Sequence, residues 1–115
     1  MKILIHIDQS ERWGAVTSNL KNMTDAKKNI RPDLEIEVVV TGEAIRDLVD
    51  SLSDEKLYQQ LKEATQAGFK IMGCNNSLNH FKIAPDDVFS FVEIVPAGLL
   101  EIAAKQEEGF AYVKP

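Results

Sequence analysis

Cysteine and histidine are both scarce in this chain of 115 residues, and their scarcity excludes several kinds of chemistry. The one cysteine, Cys74, cannot form an internal disulfide, and no CxxC pair is present for thioredoxin-type redox chemistry. The two histidines, His6 and His80, belong to no Cys/His set with zinc spacing. We therefore predict neither a structural metal site nor intramolecular dithiol chemistry.

Long apolar runs and basic clusters are also missing. No run of about 18 apolar residues is present, so the sequence predicts no membrane-spanning helix. The start of the chain, MKILIHIDQS, turns polar too soon for a signal peptide and is typical of a strand, so we expect a cytoplasmic protein. With a net charge of −5 and scattered lysines and arginines, the chain is not expected to bind nucleic acid.

Glycine motifs for phosphate binding are absent as well. Neither GxGxxG nor GxxxxGK with a following Ser or Thr comes after any candidate strand, so dinucleotide and P-loop binding have no support and we expect no cofactor. The composition is that of an ordinary globular protein, with 44% hydrophobic and 27% charged residues. We therefore expect residues 1–115 to form a single domain.

Apolar, β-branched runs alternate with helical patterns along the chain. This alternation is typical of an α/β protein with a mostly parallel sheet. The first run is almost continuously apolar, as expected of a strand that is covered on both faces. The sequence predicts five strands, at residues 2–8, 35–40, 69–72, 91–95 and 110–113.

Helical spacing of apolar residues predicts helices in the segments between these strands. Ser10 can cap the first helix. A third helix restarts at Ser53 with Asp54 and Glu55 in its first turn, and Gly68 ends it. The stripes expected to face the core are Trp13, Val16, Leu20 and Met23 in the first helix, Ala44, Ile45, Leu48, Val49 and Leu52 in the second, Leu57, Leu61 and Ala64 in the third, and Leu99, Ile102, Ala103 and Gln106 in the last, which ends at Gly109.

The carboxyl ends of the predicted strands define a candidate site. In open parallel sheets, ligands bind in the crevice beyond these ends, and here the apolar strands give way to polar or small residues. Cys74 lies on this edge and is the candidate catalytic residue. The candidate binding residues beside it are Asp8, Gly42, Glu43, Asn75, Asn76, Ser77, Pro96 and Gly98.

The segment KIMGCNNSLNHF, residues 70–81, has features that favour a thiolate at Cys74. A short helix that begins near residues 75–77 would aim its free N–H groups and positive dipole end at the thiol, which lowers a cysteine pKa. A nearby carboxylate of Asp8 or Glu43 would raise that pKa or accept a proton. Plainer roles remain open: Cys74 as a small buried hydrophobe, Asn-Asn-Ser as a helix cap, and His6 as a satisfied core residue.

The sequence resembles the DsrE/DsrF-like (YchN-like) sulfur-relay family, in its small single-domain branch. Four segments and their spacing carry this resemblance, namely IHIDQSERWGAVTSNLKNM, EIEVVVTGEAI, GCNNSL and FVEIVPAGLLEIAAKQEEGFAYVKP. The resemblance implies a three-layer α/β/α domain with a parallel-type sheet, often assembled as a homo-oligomer (trimer or hexamer). Characterised relatives carry sulfur as a persulfide on one cysteine after a central strand, and Cys74 corresponds to it by position.

Three functional hypotheses follow for Cys74. The first is a persulfide carrier or sulfurtransferase-like protein, whose partners would be a sulfur donor and a sulfur acceptor. The second is a non-catalytic oligomeric module that binds a small ligand or anion, in which Cys74 only packs. The third is a redox sensor in which Cys74 forms a sulfenic acid.

Overall fold

The computed structural model describes residues 1–50 and 54–115. Its strands are β1 (Lys2–Ile7), β2 (Glu35–Val40), β3 (Lys70–Cys74), β4 (Glu93–Val95) and β5 (Ala111–Val113). Its α-helices are α1 (Trp13–Asn29), α2 (Glu55–Gln66), α3 (Asn75–His80) and α4 (Gly98–Glu107). Short 3-10 helices form at Ser10–Arg12, Gly42–Leu48 and Pro85–Asp87.

The five strands form one sheet in the order β4-β3-β2-β1-β5. Every neighbouring pair is parallel. The prediction of an α/β fold with a mostly parallel sheet of about five strands is therefore confirmed. Because all strands run the same way, their carboxyl ends meet at one edge of the sheet.

The two faces of the sheet are covered unequally. On one face, α1, α2 and α3 pack over the larger core, which includes Val16, Leu61 and Leu78. On the other face, α4 contributes Ile102 to a small cluster with Leu4, Val39 and Met72. This arrangement confirms the three-layer α/β/α architecture that the resemblance implied. None of the helices in the described ranges is both long and apolar enough to cross a bilayer.

The prediction of a second helix over residues 44–52 is wrong. The chain forms a 3-10 helix at Gly42–Leu48, which still buries Ala44, Ile45 and Leu48. It then becomes extended, because Val49 makes an antiparallel bridge with Val88 and Leu48 O accepts a hydrogen bond from Phe89 N. Leu52 and the predicted restart at Ser53 lie outside the described residues.

Two strand boundaries differ from the prediction by two residues, and three others differ by one. The third strand continues through Gly73 and Cys74, because β4 pairs with both residues. Glycine suits the interior of this strand, since a Cβ at residue 73 would meet the side chains of Ile45 and Val92 at 3.2 Å. The fourth strand begins only at Glu93, because residues 89–92 form a turn whose Phe89 and Phe91 rings pack against Tyr58.

Helix boundaries and faces required smaller corrections. Ser10 does not cap α1, since it begins a 3-10 turn and its N–H donates to Glu43 Oε1 at 3.0 Å. Asp54 caps α2 by accepting a hydrogen bond from Lys56 N, whereas a first-turn position was predicted. In α4 only Ile102 of the predicted stripe is buried, because a single helix covers this face of the sheet. The exposed members of that stripe are Leu99, Ala103 and Gln106.

Candidate functional site

Cys74 lies where three elements meet at the carboxyl edge of the sheet. It is the last residue of β3 and immediately precedes α3, and the N-terminus of α4 lies beside it. Its side chain is 5% exposed and carries a free thiol. Because it has the same strand parity as Met72, it lies on the face that α4 covers.

Several hydrogen-bond donors converge on the sulfur of Cys74. Gly98 N donates to Cys74 Sγ at 3.2 Å. Burial alone would raise the pKa of the Cys74 thiol, but hydrogen bonds from the Ser77 hydroxyl and from the N–H groups of Gly98, Ser77 and Asn76 outweigh it, so the pKa is lowered. The first turns of α3 and α4 therefore stabilise the thiolate form.

Ser77 is oriented by the backbone of another strand end. Gly42 N donates to Ser77 Oγ at 2.9 Å, so the hydroxyl accepts this bond and keeps its own hydrogen for the thiolate. Gly42 has a φ of +57°, a left-handed conformation that glycine adopts without strain. A Cβ at this position would also lie 3.1 Å from Asp8 O. The predicted residues Gly42 and Ser77 thus act on Cys74 together.

Glycine is the only residue type that fits at position 98. A Cβ there would lie 2.4 Å from Thr41 Cγ2 and 3.4 Å from Cys74 Cβ. This close approach lets the first N–H of α4 reach the thiol. Thr41 and Cys74 consequently both lie against the backbone of Gly98.

His6 and Thr41 belong to the site, although the sequence interpretation favoured a satisfied core residue for His6. His6 Nε2 lies 2.9 Å from Thr41 Oγ1, and His6 Nδ1 lies 2.7 Å from Tyr112 Oη. Burial lowers the pKa of His6, the Asp8 carboxylate acts in the opposite direction, and Lys114 lowers it further, so the imidazole is neutral near pH 7. The signal that could have found His6 is its strand parity, which it shares with Leu4 on the α4 face.

A cavity of about 320 Å³ opens beside the thiol. Leu99 is 79% exposed and lines this cavity, so the cavity reaches the protein surface. No lysine, arginine, aspartate or glutamate lines it among the described residues. Besides Cys74 and Gly98, its lining consists of the polar residues His6, Thr41 and Asn76 and the apolar residues Ala97, Leu99 and Ile102.

Six predicted binding residues do not line this cavity, and of these only Ser77 and Gly42 act on the thiol, through the hydrogen bonds described above. Asp8 Oδ2 pairs with Lys114 Nζ at 3.1 Å, and Glu43 Oε1 accepts the hydrogen bond from Ser10 N at 3.0 Å. Asn75 is the first residue of α3 and is half-buried, whereas Pro96 is exposed before α4. Asp8 Oδ2 and Glu43 Oε1 are therefore engaged elsewhere, whereas Asp8 Oδ1 is buried and has no hydrogen-bond partner among the described residues.

Other parts of the molecule offer less for chemistry. A larger cavity of about 590 Å³ lies between α1 and α2 around Trp13, and no cysteine or histidine lines it within the described ranges. Within residues 1–50 and 54–115, no group of three or more His, Cys, Asp or Glu side chains could hold a metal ion. Cys74 and its cavity are therefore the candidate functional site.

Solved structures with the same fold include three proteins from different sources. A protein of unknown function from Methanobacterium thermoautotrophicum is 27% identical, with a TM-score of 0.85 over 99% of this chain and 98% of that one. A conserved protein of unknown function from Bacteroides thetaiotaomicron is 13% identical, with a TM-score of 0.76 over 99% and 94% of the two chains. The ychN protein from E. coli is 12% identical, with a TM-score of 0.72 over the full length of both chains.

No curated protein matches the chain. The model of the DsrE/DsrF-like family, in contrast, matches residues 1–115. The chain belongs to the DsrE/DsrF-like family.

Proposed function

We propose that this protein handles sulfur by carrying it as a persulfide on Cys74, as a persulfide carrier or a sulfurtransferase-like protein. The observation that carries the proposal is the Gly98 N–H that donates to Cys74 Sγ at 3.2 Å, and the hydrogen bonds from Ser77 and Asn76 that lower the pKa of the thiol act in the same direction. They favour the thiolate, which is the form that attacks another sulfur atom. The sulfur-relay role associated with the DsrE/DsrF-like family supports the same assignment.

The proposed chemistry balances without a cofactor or an oxidant. The Cys74 thiolate attacks the outer sulfur of a donor R–S–SH, the new S–S bond forms, and the donor S–S bond breaks. The electron pair of that bond leaves with R–S⁻, which takes a proton from water. In delivery, an acceptor thiolate attacks the outer sulfur and the electron pair returns to Cys74 Sγ, where the same donors stabilise it.

The lining of the cavity favours a small organic persulfide as the sulfur donor. No cationic side chain lines it, and the neutral His6 adds no positive charge. A dianion such as thiosulfate would lose its hydration there without a compensating charge. A small organic persulfide carries less charge, and its organic part fits beside Ala97, Leu99 and Ile102.

The acceptor is a thiol on another molecule. The chain has one cysteine, so no second cysteine in the same chain can collect the sulfur. The exposed Leu99 at the cavity, together with the exposed Leu100 after it, offers an apolar surface to such a partner. The same surface supports a homo-oligomeric assembly, with α4 facing a neighbouring copy.

A second candidate is a non-catalytic oligomeric module that binds a small ligand or anion in this cavity. The burial of Cys74, which is 5% exposed, favours it, because a packing cysteine is usually buried. In that case, Cys74→Ala would leave anion binding intact and the wild-type thiol would take up no sulfur.

The proposal is tested by loading the protein with a small alkyl persulfide and measuring its intact mass. We expect one added sulfur atom on Cys74, which a reductant removes, and none on Cys74→Ser. A parallel reaction with thiosulfate is expected to load the protein far more slowly. A folded wild-type protein that gains no sulfur from the persulfide contradicts the proposal and favours the binding module.

A further inference from the structure

A chain of hydrogen bonds connects the surface to the cavity beside Cys74. Tyr112 Oη lies 2.7 Å from His6 Nδ1, and His6 Nε2 lies 2.9 Å from Thr41 Oγ1. Tyr112 lies on the edge strand β5 and is 41% exposed, whereas His6 and Thr41 line the cavity. Three elements of the sheet edge thus meet in one line of polar groups.

The distances and the acidity of the groups indicate which group is the donor and which is the acceptor in each of these two hydrogen bonds. A phenol is a better donor than acceptor, and 2.7 Å is a usual length for an O–H donor, so Tyr112 donates to Nδ1. A neutral imidazole then carries its hydrogen on Nε2 and donates to Thr41 Oγ1, for which 2.9 Å is a usual N–H···O length. Thr41 therefore accepts this bond and keeps the hydrogen of its own hydroxyl free to donate.

Thr41 and Cys74 line the same cavity, but Thr41 makes no hydrogen bond to the sulfur of Cys74 itself. The methyl group of Thr41 contacts the Gly98 backbone, which in turn donates to Cys74 Sγ. The groups that stabilise the Cys74 thiolate come from Ser77, Gly98 and Asn76, and Thr41 is not among them. With His6 Nε2 as the donor, the Thr41 hydroxyl has no protein acceptor across the described ranges. Its natural acceptor is an atom that enters the cavity next to the thiol.

We propose that the Thr41 hydroxyl donates a hydrogen bond to the outer sulfur of the persulfide on Cys74, and that His6 and Tyr112 are positioning residues that orient it. This inference rests on the proposed function. In the loading step described above, the outer sulfur moves from the donor to Cys74 Sγ and enters the space that Thr41 faces. Thr41 then stabilises the loaded state, whereas Ser77 and Gly98 stabilise the unloaded thiolate.

The test is the loading equilibrium of the protein with a small alkyl persulfide and its parent thiol, read as the loaded fraction by intact mass. Thr41→Val keeps the shape and removes the hydroxyl, and we expect it to lower the equilibrium constant about fivefold, as for the loss of one hydrogen bond. Thr41→Ser should restore it to within about twofold. The pH dependence of alkylation of the unloaded thiol should stay unchanged in both variants, which a general structural disturbance would not permit.

Tyr112→Phe provides a second variant at an exposed position, so folding does not decide the outcome. Without the phenol, the tautomer of His6 is no longer fixed, and we expect the loading constant to fall about threefold. If Thr41→Val and Tyr112→Phe both had the loading equilibrium constant of the wild type, the inference would be overturned and the carrier proposal would remain intact. Absence of loading in the folded wild type would instead overturn the proposed function.

Discussion

At the scale of single residues, the central contrast is between burial and hydrogen bonding at Cys74. A buried thiol in apolar surroundings has a raised pKa and is inert, which is the usual state of a core cysteine. Here, donors from two helix starts and one hydroxyl reverse the effect of burial and lower the pKa. Burial then limits access to the sulfur without suppressing its ionisation.

Ser77→Ala should weaken this ionisation. The variant removes the hydroxyl that donates to the thiolate, so the pKa of Cys74 should rise and the rate of alkylation at pH 7 should fall roughly 3- to 10-fold. The measurement is the alkylation rate of Cys74 as a function of pH, followed by mass spectrometry. Asn79→Ala is the matched control on the same helix, because Asn79 is exposed. Equal pH profiles for Ser77→Ala and the wild type would contradict the assigned role of the hydroxyl.

The residues of the site differ in how far the sequence could predict them. Cys74, Ser77 and Gly98 follow from the rule that parallel strands gather polar and small residues at their carboxyl ends. His6 could not be placed by that rule, because it stands within an apolar run and its partner Tyr112 is 106 residues away. Asp8 and Glu43 were correctly placed at strand ends, but their ion pair and hydrogen bond depend on Lys114 and Ser10, whose positions only the fold determines.

At the scale of elements, helix α4 performs two separate tasks. Its first residue, Gly98, brings an N–H group to the thiol, and its later residues cover one face of the sheet. Sequence periodicity predicted the helix and its end before Gly109, which has a φ of +93°. It could not predict that Leu99 would be exposed, because helical spacing does not say how much of the sheet a helix covers.

Gly98→Ala should disturb the start of α4. The new Cβ would lie 2.4 Å from Thr41 Cγ2, so the helix must shift away from the thiol. We expect a loss of about 1 to 3 kcal/mol in the free energy of unfolding and slower alkylation of Cys74. Gly14→Ala is the control, since nothing lies within 4 Å of its Cβ position in α1, and it should raise stability by roughly 0.5 to 1 kcal/mol. Urea unfolding measures the free energy of unfolding of both variants. A Gly98→Ala protein with the stability and the Cys74 alkylation rate of the wild type would contradict the close packing at this position.

The far end of α4 covers a buried carboxyl group on β2. Burial raises the pKa of Glu37 to about 7, with Glu101 acting in the same direction and Lys105 opposing it. Lys105 Nζ lies 4.0 Å from Glu37 Oε1, while Glu37 Oε2 is buried and has no partner among the described residues. A neutral Glu37 therefore suits this position better than an ionised one.

This raised pKa predicts how stability depends on pH. Between the ordinary value of 4.5 and about 7, the folded state binds the Glu37 proton and the unfolded state does not, so stability from this group is complete below 4.5 and is lost as the pH rises through 7. Glu37→Gln should remove this dependence. The change in the free energy of unfolding from pH 5 to pH 8 should therefore be more favourable in the variant than in the wild type, by on the order of 2 kcal/mol.

The measurement is urea unfolding at both pH values. His6 acts in the opposite direction because its pKa is lowered, so the difference between wild type and variant isolates Glu37. Glu35→Gln, at an exposed position on the same strand, should leave the dependence unchanged. Parallel stability curves for Glu37→Gln and the wild type would refute the assignment.

At the scale of the whole molecule, the parallel sheet explains why one edge holds the chemistry. The fold class, the five strands and their polar ends could be predicted from apolar runs and their spacing. The strand order could not, because any order of parallel strands brings the same ends to one edge. The 3-10 helix at Gly42–Leu48 also escaped prediction, since its apolar spacing equally fits an α-helix.

The thin α4 layer predicts assembly through the exposed side of that helix. Leu99 is 79% exposed and Leu100 is 69% exposed. Two adjacent exposed leucines on one helix form an apolar patch that a neighbouring copy could cover. We expect sedimentation to give a mass above the 12.8 kDa of one chain and Leu99→Asp with Leu100→Asp to lower it. Ile30→Asp, which changes an exposed apolar residue at the end of α1, should leave the mass unchanged. A wild-type monomer would contradict this expectation.

The most direct test of sulfur carriage follows a labelled sulfur atom into and out of the protein. The purified chain is loaded with a small alkyl persulfide labelled in its outer sulfur, separated from the donor, and mixed with an acceptor thiol. We predict one label per chain on Cys74, its transfer to the acceptor, and return of Cys74 to the free thiol, with no label on Cys74→Ser. A folded wild-type chain that takes no label at Cys74, or that never releases it to a thiol, would contradict the account.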